Sequence, residues 1–189
     1  MTNSNQKRSE SELSTEEDIE YIKSFLGGND DAFSILYTKY VDELFAYGIG
    51  LGFDREALKD AIQDIFYKLY FEKKTLKKVA RLKFYLFRSL KNRLFDLHRS
   101  TVEQTSISHY ETSFPVKSTI LDHIIGEEER KDVQNHINEL LDKITDRQRE
   151  AIYLRFMQEL EYEEVGELMG MTPPAVRKLV SRAIKRMRE

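Results

Sequence analysis

Apolar residues recur at intervals of three and four along most of the chain, and no segment alternates polar and apolar positions over a strand's length. The pattern predicts helices throughout. Ser14 with Glu17 forms a capping-box pair that opens a short helix through Phe25 and Leu26, and Gly27-Gly28-Asn29 ends it. Asn29 or Asp30 caps a second helix. Its stripe of Phe33, Leu36, Tyr37, Tyr40, Leu44, Phe45 and Tyr47 is expected to be buried. Gly48, Gly50 and Gly52 are expected to break it. No strand precedes this glycine run and no dinucleotide spacing follows, so it reads as a turn between helices rather than a phosphate loop.

Asp54 caps a third helix, with Leu58, Ile62, Ile65, Phe66 and Leu69 inward and Asp60, Gln63 and Asp64 on other faces. A lysine-rich connection leads to a fourth helix over about 79–98, with Leu82, Leu86, Leu90, Leu94 and Leu97 as its inner stripe. A second stripe, Phe84, Phe87, Arg88, Lys91 and Phe95, is expected on a different face. A helix that needs only a core has no use for that second row of rings and cations.

From Ser100 to about Gly126 the composition turns to Ser, Thr, Glu and His, with Pro115 and no dependable helical period. It is read as a linker of roughly 25 residues, spanning about 25–30 Å as a coil and about 80–90 Å fully extended. Beyond it, Val133, Ile137, Leu140, Leu141 and Ile144 return to helical spacing. Thr145 and Gln148 make a second capping box, with Asp146 at the positive helix end and Ala151, Ile152, Leu154 and Phe156 as the apolar side. A short helix with Val165, Leu168 and Met169 inward follows. Gly170-Met171-Thr172 turns the chain, and Pro173 and Pro174 open the last helix, where a missing N–H does no harm. Two short helices joined by a tight turn, the second one basic, make a helix-turn-helix. Thr172, Pro174, Arg177, Lys178, Ser181 and Arg182 are expected on its exposed side, and Val176, Leu179, Val180 and Ala183 inward. Such a helix enters a major groove, where Arg reads guanine with two hydrogen bonds. The fold expected is all-α: a disordered tail at 1–13, a helical domain at 14–99, a flexible linker at 100–126 and a helix-turn-helix domain at 127–189.

Charge sharpens the picture. The stretch from Lys73 to Arg99 holds ten Lys or Arg residues and one acid, Asp96, in a chain of net charge −3, so the remainder carries a net of −12. Cations interleaved with Phe84, Tyr85, Phe87 and Phe95 suit a phosphate backbone and unpaired bases. From charge alone, a solvated basic helix reads equally well; the second stripe and the helix-turn-helix tip the balance towards nucleic acid. The acidic remainder argues against a protein that coats nucleic acid indiscriminately. Zero Cys excludes disulfides and thiolate metal sites, and the polar start holds no apolar signal segment. A cytoplasmic protein without membrane insertion is expected. His98, His109, His123 and His136 are scattered without metal-ligand spacing, and no Walker loop or nucleophile elbow is found, so no catalytic set, metal or cofactor is expected.

Four segments together resemble bacterial extracytoplasmic-function sigma factors: AIQDIFYKLY, FYLFRSLKNRLFDLHR, TDRQREAIYLRFM and YEEVGELMGMTPPAVRKLVSRAIKRMR. The resemblance runs from about Asp18 onward, and its flavour is similar to the group found in Bacteroides-type bacteria. It implies a protein that binds core RNA polymerase, brings it to promoter DNA and opens the start of the bubble. By that resemblance Asp60, Gln63, Asp64, Ile65 and Phe66 dock on the clamp coiled coil of the largest polymerase subunit. The helix carrying Phe84, Phe87, Arg88, Lys91, Asn92, Phe95 and Arg99 would hold the melted minus-ten strand, with Tyr85 standing where the family commonly has Trp. Thr172, Pro174, Arg177, Lys178, Ser181 and Arg182 would read the minus-thirty-five element, with the second Pro replacing a commoner polar residue. The linker would thread towards the polymerase active-site channel. An anti-sigma partner and a monomeric free state are also implied. The alternative is a stand-alone helix-turn-helix regulator that binds duplex DNA without polymerase.

Overall fold

The computed structural model describes residues 16–79, 81–102, 137 and 139–189. The Ser14 cap, the 1–13 tail, most of the linker and the start of the helix carrying Val133 lie outside them. Among the described residues the chain is all-α. It divides into two compact units, the first built on α1 (16–26), α2 (Asp30–Gly50), α3 (Arg55–Phe71), α4 (Lys73–Leu76) and α5 (Leu82–Val102). The second holds helical residues 139–142, α6 (Asp146–Ile152), a π-helical turn (Tyr153–Met157), α7 (Tyr162–Met169) and α8 (Pro173–Arg188); the segment Ile49–Phe53 groups with it.

Caps set the helix starts where the sequence places them. The Asn29 side-chain oxygen accepts from the Asp31 amide at 3.1 Å, which makes Asn29 rather than Asp30 the cap of α2. Asp54 accepts from the amides of Glu56 and Ala57, both at 3.0 Å, at the start of α3. α2 differs from expectation at its end. It runs through Gly48 to Gly50 because Gly48 serves packing rather than termination. A Cβ there would lie 2.0 Å from Leu58 Cδ2, so the missing side chain lets α3 seat its buried leucine against α2.

The first core joins Leu36, Tyr40, Leu44 and Tyr47 of α2 to Leu58, Ile62 and Leu69 of α3 and Leu82, Leu86, Leu90 and Leu94 of α5. The inner stripe of α5 ends at Leu94, because Leu97 is only half-buried. α5 begins at Leu82, three residues later than expected, and the lysine-rich connection folds into α4, whose Leu76 is buried. Rings tie α1 to its neighbours: Phe25 lies 4.7 Å from Phe33 and 5.3 Å from Tyr70 between centroids. Each such pair adds about 0.5–1.5 kcal/mol beyond area burial. Tyr37, expected inside, is exposed, and its ring packs edge-on against Phe66 at 4.9 Å.

A polar cluster stitches α1, α2 and α5. Buried Asp18 accepts from Lys39 at 2.8 Å and from the Tyr40 hydroxyl. Glu43 pairs with Lys83 at 3.0 Å. Burial pushes the Glu43 carboxyl above the usual carboxylate range, and the Lys83 charge opposes that rise.

In the second unit, the Thr145 hydroxyl accepts from the Gln148 amide at 3.3 Å, and Gln148 Oε1 accepts from the Thr145 amide at 3.0 Å. This is the capping box the sequence predicts. The π-helical turn beyond α6 is not predicted. It closes with the Gln158 amide donating to the Tyr153 carbonyl at 3.0 Å. Its extra residue rotates the face, so Tyr153 and Leu154 point inward and Phe156 is exposed. Leu141, Ile144 and Ala183 form one small core cluster, flanked by Ile137, Ile152 and Met187.

Candidate nucleic-acid and protein interfaces

On α5 the residues that stay at the surface fall at a helical period. Phe84 and Lys91 are half-buried; Arg88, Asn92, Phe95 and Arg99 are exposed. From Phe84 to Arg99 they follow one line of the helix, with the Lys91 ammonium 5.9 Å from the Phe95 ring centroid. Phe87 departs from the expected stripe. It is 0% exposed, and its ring lies 5.1 Å from Tyr47. α5 packs against neighbours over a wider arc than one leucine stripe, and Phe87 beside Leu86 falls within it. Phe87 is a core residue, and its placement on the outward face is corrected. Arg93, beside the stripe, reaches α3 and pairs with Asp64 at 2.6 Å.

On α3, Asp60, Gln63 and Asp64 are exposed as expected. Ile65 and Phe66 are not, at 7% and 4% exposure, and Phe66 packs under Phe33 and Tyr37. Both lie inward, as the apolar stripe of this helix predicts, and support its exposed acidic face. The line through Asp60 and Asp64 continues instead to Tyr67 and Phe71, each 64% exposed, with ring centroids 4.5 Å apart. The stripe 60, 63, 64, 67, 71 covers about 16 Å of helix. It is acidic at one end and aromatic at the other. The sequence carried this signal in the spacing of three and four onward from Asp64, but two aromatic residues in a helix read first as core.

On α8 the expected division holds. Thr172, Pro174, Arg177, Lys178, Ser181 and Arg182 are all exposed; Val176, Val180 and Ala183 are buried and Leu179 half-buried. Gly170 takes φ 63° at the end of α7, and the Met171 amide donates to the Gly166 carbonyl at 2.8 Å, which sets the tight turn into α8. Arg177 reaches back to α7, where its Nη2 lies 3.2 Å from Glu163 Oε1 and its guanidinium 5.1 Å from the Tyr162 ring centroid. A groove of about 330 Å³ runs beside it, lined by Tyr162, Arg177, Ser181 and Lys185 among others.

Chemically the exposed rows are two basic stripes, one of them aromatic, and one acidic–aromatic stripe. Among the described residues no group of three or more His, Asp or Glu could hold a metal ion. No described helix is long and apolar enough to cross a membrane.

Residues 135–187 match the family model of sigma-70, region 4. The extracytoplasmic-function (ECF) RNA polymerase sigma factor SigM of Bacillus subtilis (strain 168) is 19% identical over 153 residues, covering 81% of this chain and 91% of its own length. The solved structure of CnrH in complex with the cytosolic domain of CnrY matches with a TM-score of 0.53 at 18% identity, covering 90% of this chain and 94% of that one. At that identity the likeness is one of fold.

Proposed function

We propose that this chain is a sigma factor of the extracytoplasmic-function type, a reading that the family-model match and the relative support, and that it directs initiation by holding polymerase with α3, the melted minus-ten strand with α5 and the duplex minus-thirty-five element with α8. The observation that carries the reading is that three exposed stripes of different chemistry stand on two compact units, those of α3 and α5 on the first and that of α8 on the second. A stand-alone helix-turn-helix regulator accounts for α8 and leaves the α3 and α5 stripes without a use.

Each stripe suits its partner. Asp60 and Asp64 attract a basic helix of the polymerase clamp, and Gln63 offers it an amide. Tyr67 and Phe71 give that helix apolar and ring surface to cover. On α5, Phe84 and Phe95 can stack on unpaired bases while Arg88, Lys91 and Arg99 follow the phosphates, and Asn92 can bind the edge of a base that has left the stack. α8 places cations over a major groove. Two weak readers on one chain gain affinity from the tether without new contacts. This work takes place where polymerase is, in the cytoplasm, and needs no catalytic group of its own. The solved neighbour CnrH is bound by the cytosolic domain of CnrY; by analogy an anti-sigma protein is proposed to hold this chain, which is a monomer when free.

Transcription reconstituted from genomic DNA with core polymerase and this protein tests the reading. Discrete start sites are expected; random initiation alongside tight duplex binding by the protein alone would refute it. Two variants resolve the stripes. Tyr67→Ser is expected to weaken polymerase binding by about 1–2 kcal/mol, as for an exposed interface anchor, and to leave the melting curve in place. A pull-down titration with core polymerase reads this directly. Asn92→Ala is expected to weaken open-complex formation by about 1–3 kcal/mol and to spare duplex binding by α8. Permanganate footprinting separates the two, and equal loss of both would remove Asn92 from the strand-holding role.

A further inference from the structure

We infer that Glu163 and Tyr162 are positioning residues that present Arg177 of α8 to a base edge, so that part of the sequence preference of this helix is set from α7. The inference rests on the proposed reading of α8 as the duplex reader. Four contacts carry it. The Glu163 carboxylate lies 3.2 Å from Arg177 Nη2. The Arg177 guanidinium lies 5.1 Å from the Tyr162 ring centroid, and that of Arg155 lies 5.0 Å from the same ring. Arg155 in turn donates through Nη1 to the Leu160 carbonyl at 3.1 Å, which anchors the assembly to the segment before α7.

An unheld arginine is long and mobile, and it loses that freedom when it binds. An arginine already stacked and hydrogen-bonded loses less. The carboxylate engages one of five guanidinium hydrogens. The Nη1 hydrogens and the second Nη2 hydrogen remain for the acceptors of a guanine. An acid beside a DNA-facing cation otherwise makes little sense, since its charge repels phosphate. Orientation explains why it is tolerated there: it gives up some general attraction and gains discrimination at one base pair.

The experiment uses the holoenzyme of full chain and core polymerase on promoter duplexes taken from mapped start sites, with the upstream element randomised. Arg177→Ala is expected to relax preference at one position about tenfold. Glu163→Gln, and separately Tyr162→Leu, are expected to relax the same position about threefold and leave the other positions and the salt dependence unchanged. Glu163→Gln added to Arg177→Ala should do nothing further. If Glu163→Gln instead tightens binding equally on all sequences, Glu163 is only a repelling acid and the inference fails. If Arg177→Ala changes the preference while Glu163→Gln does not, the inference fails and the duplex-reading role of α8 stands. If Arg177→Ala changes no position, the base-reading role of Arg177 falls and takes this inference with it. Glu163 is exposed, so its variant folds even where Tyr162→Leu does not.

Discussion

Phe87→Ala is expected to destabilise the first unit by about 3–5 kcal/mol, the loss typical of a buried ring removed from a close-packed core. The ring is fully buried against Tyr47, and the leucines beside it on α5 hold the helix to α2 and α3. A marginally stable helical unit does not survive such a loss at physiological temperature. The polymerase docking proposed for α3 and the strand holding proposed for α5 should therefore disappear together. Phe95→Ala is the contrast: at 39% exposure it should melt within about 0.5 kcal/mol of the parent chain while single-strand binding weakens. Thermal unfolding followed by circular dichroism, paired with binding of a minus-ten oligonucleotide by the holoenzyme, distinguishes the two. A Phe87→Ala protein of normal stability with selectively lost strand binding would return that ring to the DNA face.

The contrast between these two phenylalanines marks how far the sequence could be read. Local chemistry was legible. Asp54 and the Thr145–Gln148 pair cap their helices because side-chain geometry over three residues decides a cap. The outward row of α8 was legible because that helix separates its faces cleanly, with Val176, Val180 and Ala183 inside and cations outside. Where a helix meets several neighbours, a single stripe no longer describes its buried arc. That is why Phe87 went inside on α5, and why Tyr37, on the predicted stripe of α2, came out. Where backbone approach matters more than propensity, a glycine reads as a break, as Gly48 did, though it is a contact with Leu58. The π-helical turn at Tyr153–Met157 left no mark in the spacing and exchanged Phe156 for Tyr153 at the core. The exposed stripe of α3 was half legible: acids at 60 and 64 announce a surface, whereas the aromatic Tyr67 and Phe71 read first as core. The Glu163–Arg177 pair was invisible, since it joins residues fourteen apart across a turn.

Gly166→Ala should undo the helix-turn-helix. In an ordinary helix interior this change stabilises by about 1 kcal/mol, because alanine restricts the unfolded chain and favours the helix. Here the sign reverses. A Cβ at position 166 would stand 2.6 Å from the Met171 carbonyl oxygen, closer than such atoms approach in folded proteins. The obstacle is backbone, so no rotamer change relieves it. The Met171 amide also donates to the Gly166 carbonyl at 2.8 Å, and the next residue, Thr172, is the N-cap of α8. Moving Met171 away therefore breaks the bond that closes the turn and swings the start of α8 off its seat on α7. A net loss of about 1–3 kcal/mol is expected, the range for backbone shifts forced by an added methyl in a packed site. The loss should be confined to the second unit, whose core is separate from that of the first. Hydrogen exchange resolved by unit should show faster opening of α7 and α8 with α2, α3 and α5 unchanged. In the holoenzyme, recognition of the upstream element should fall while the polymerase binding proposed for Asp60, Asp64 and Tyr67 persists. An alanine variant that protects α7 and α8 as well as glycine does would mean that the turn has slack to accept a methyl, and the close approach of α8 to α7 would then not be what fixes its reading face.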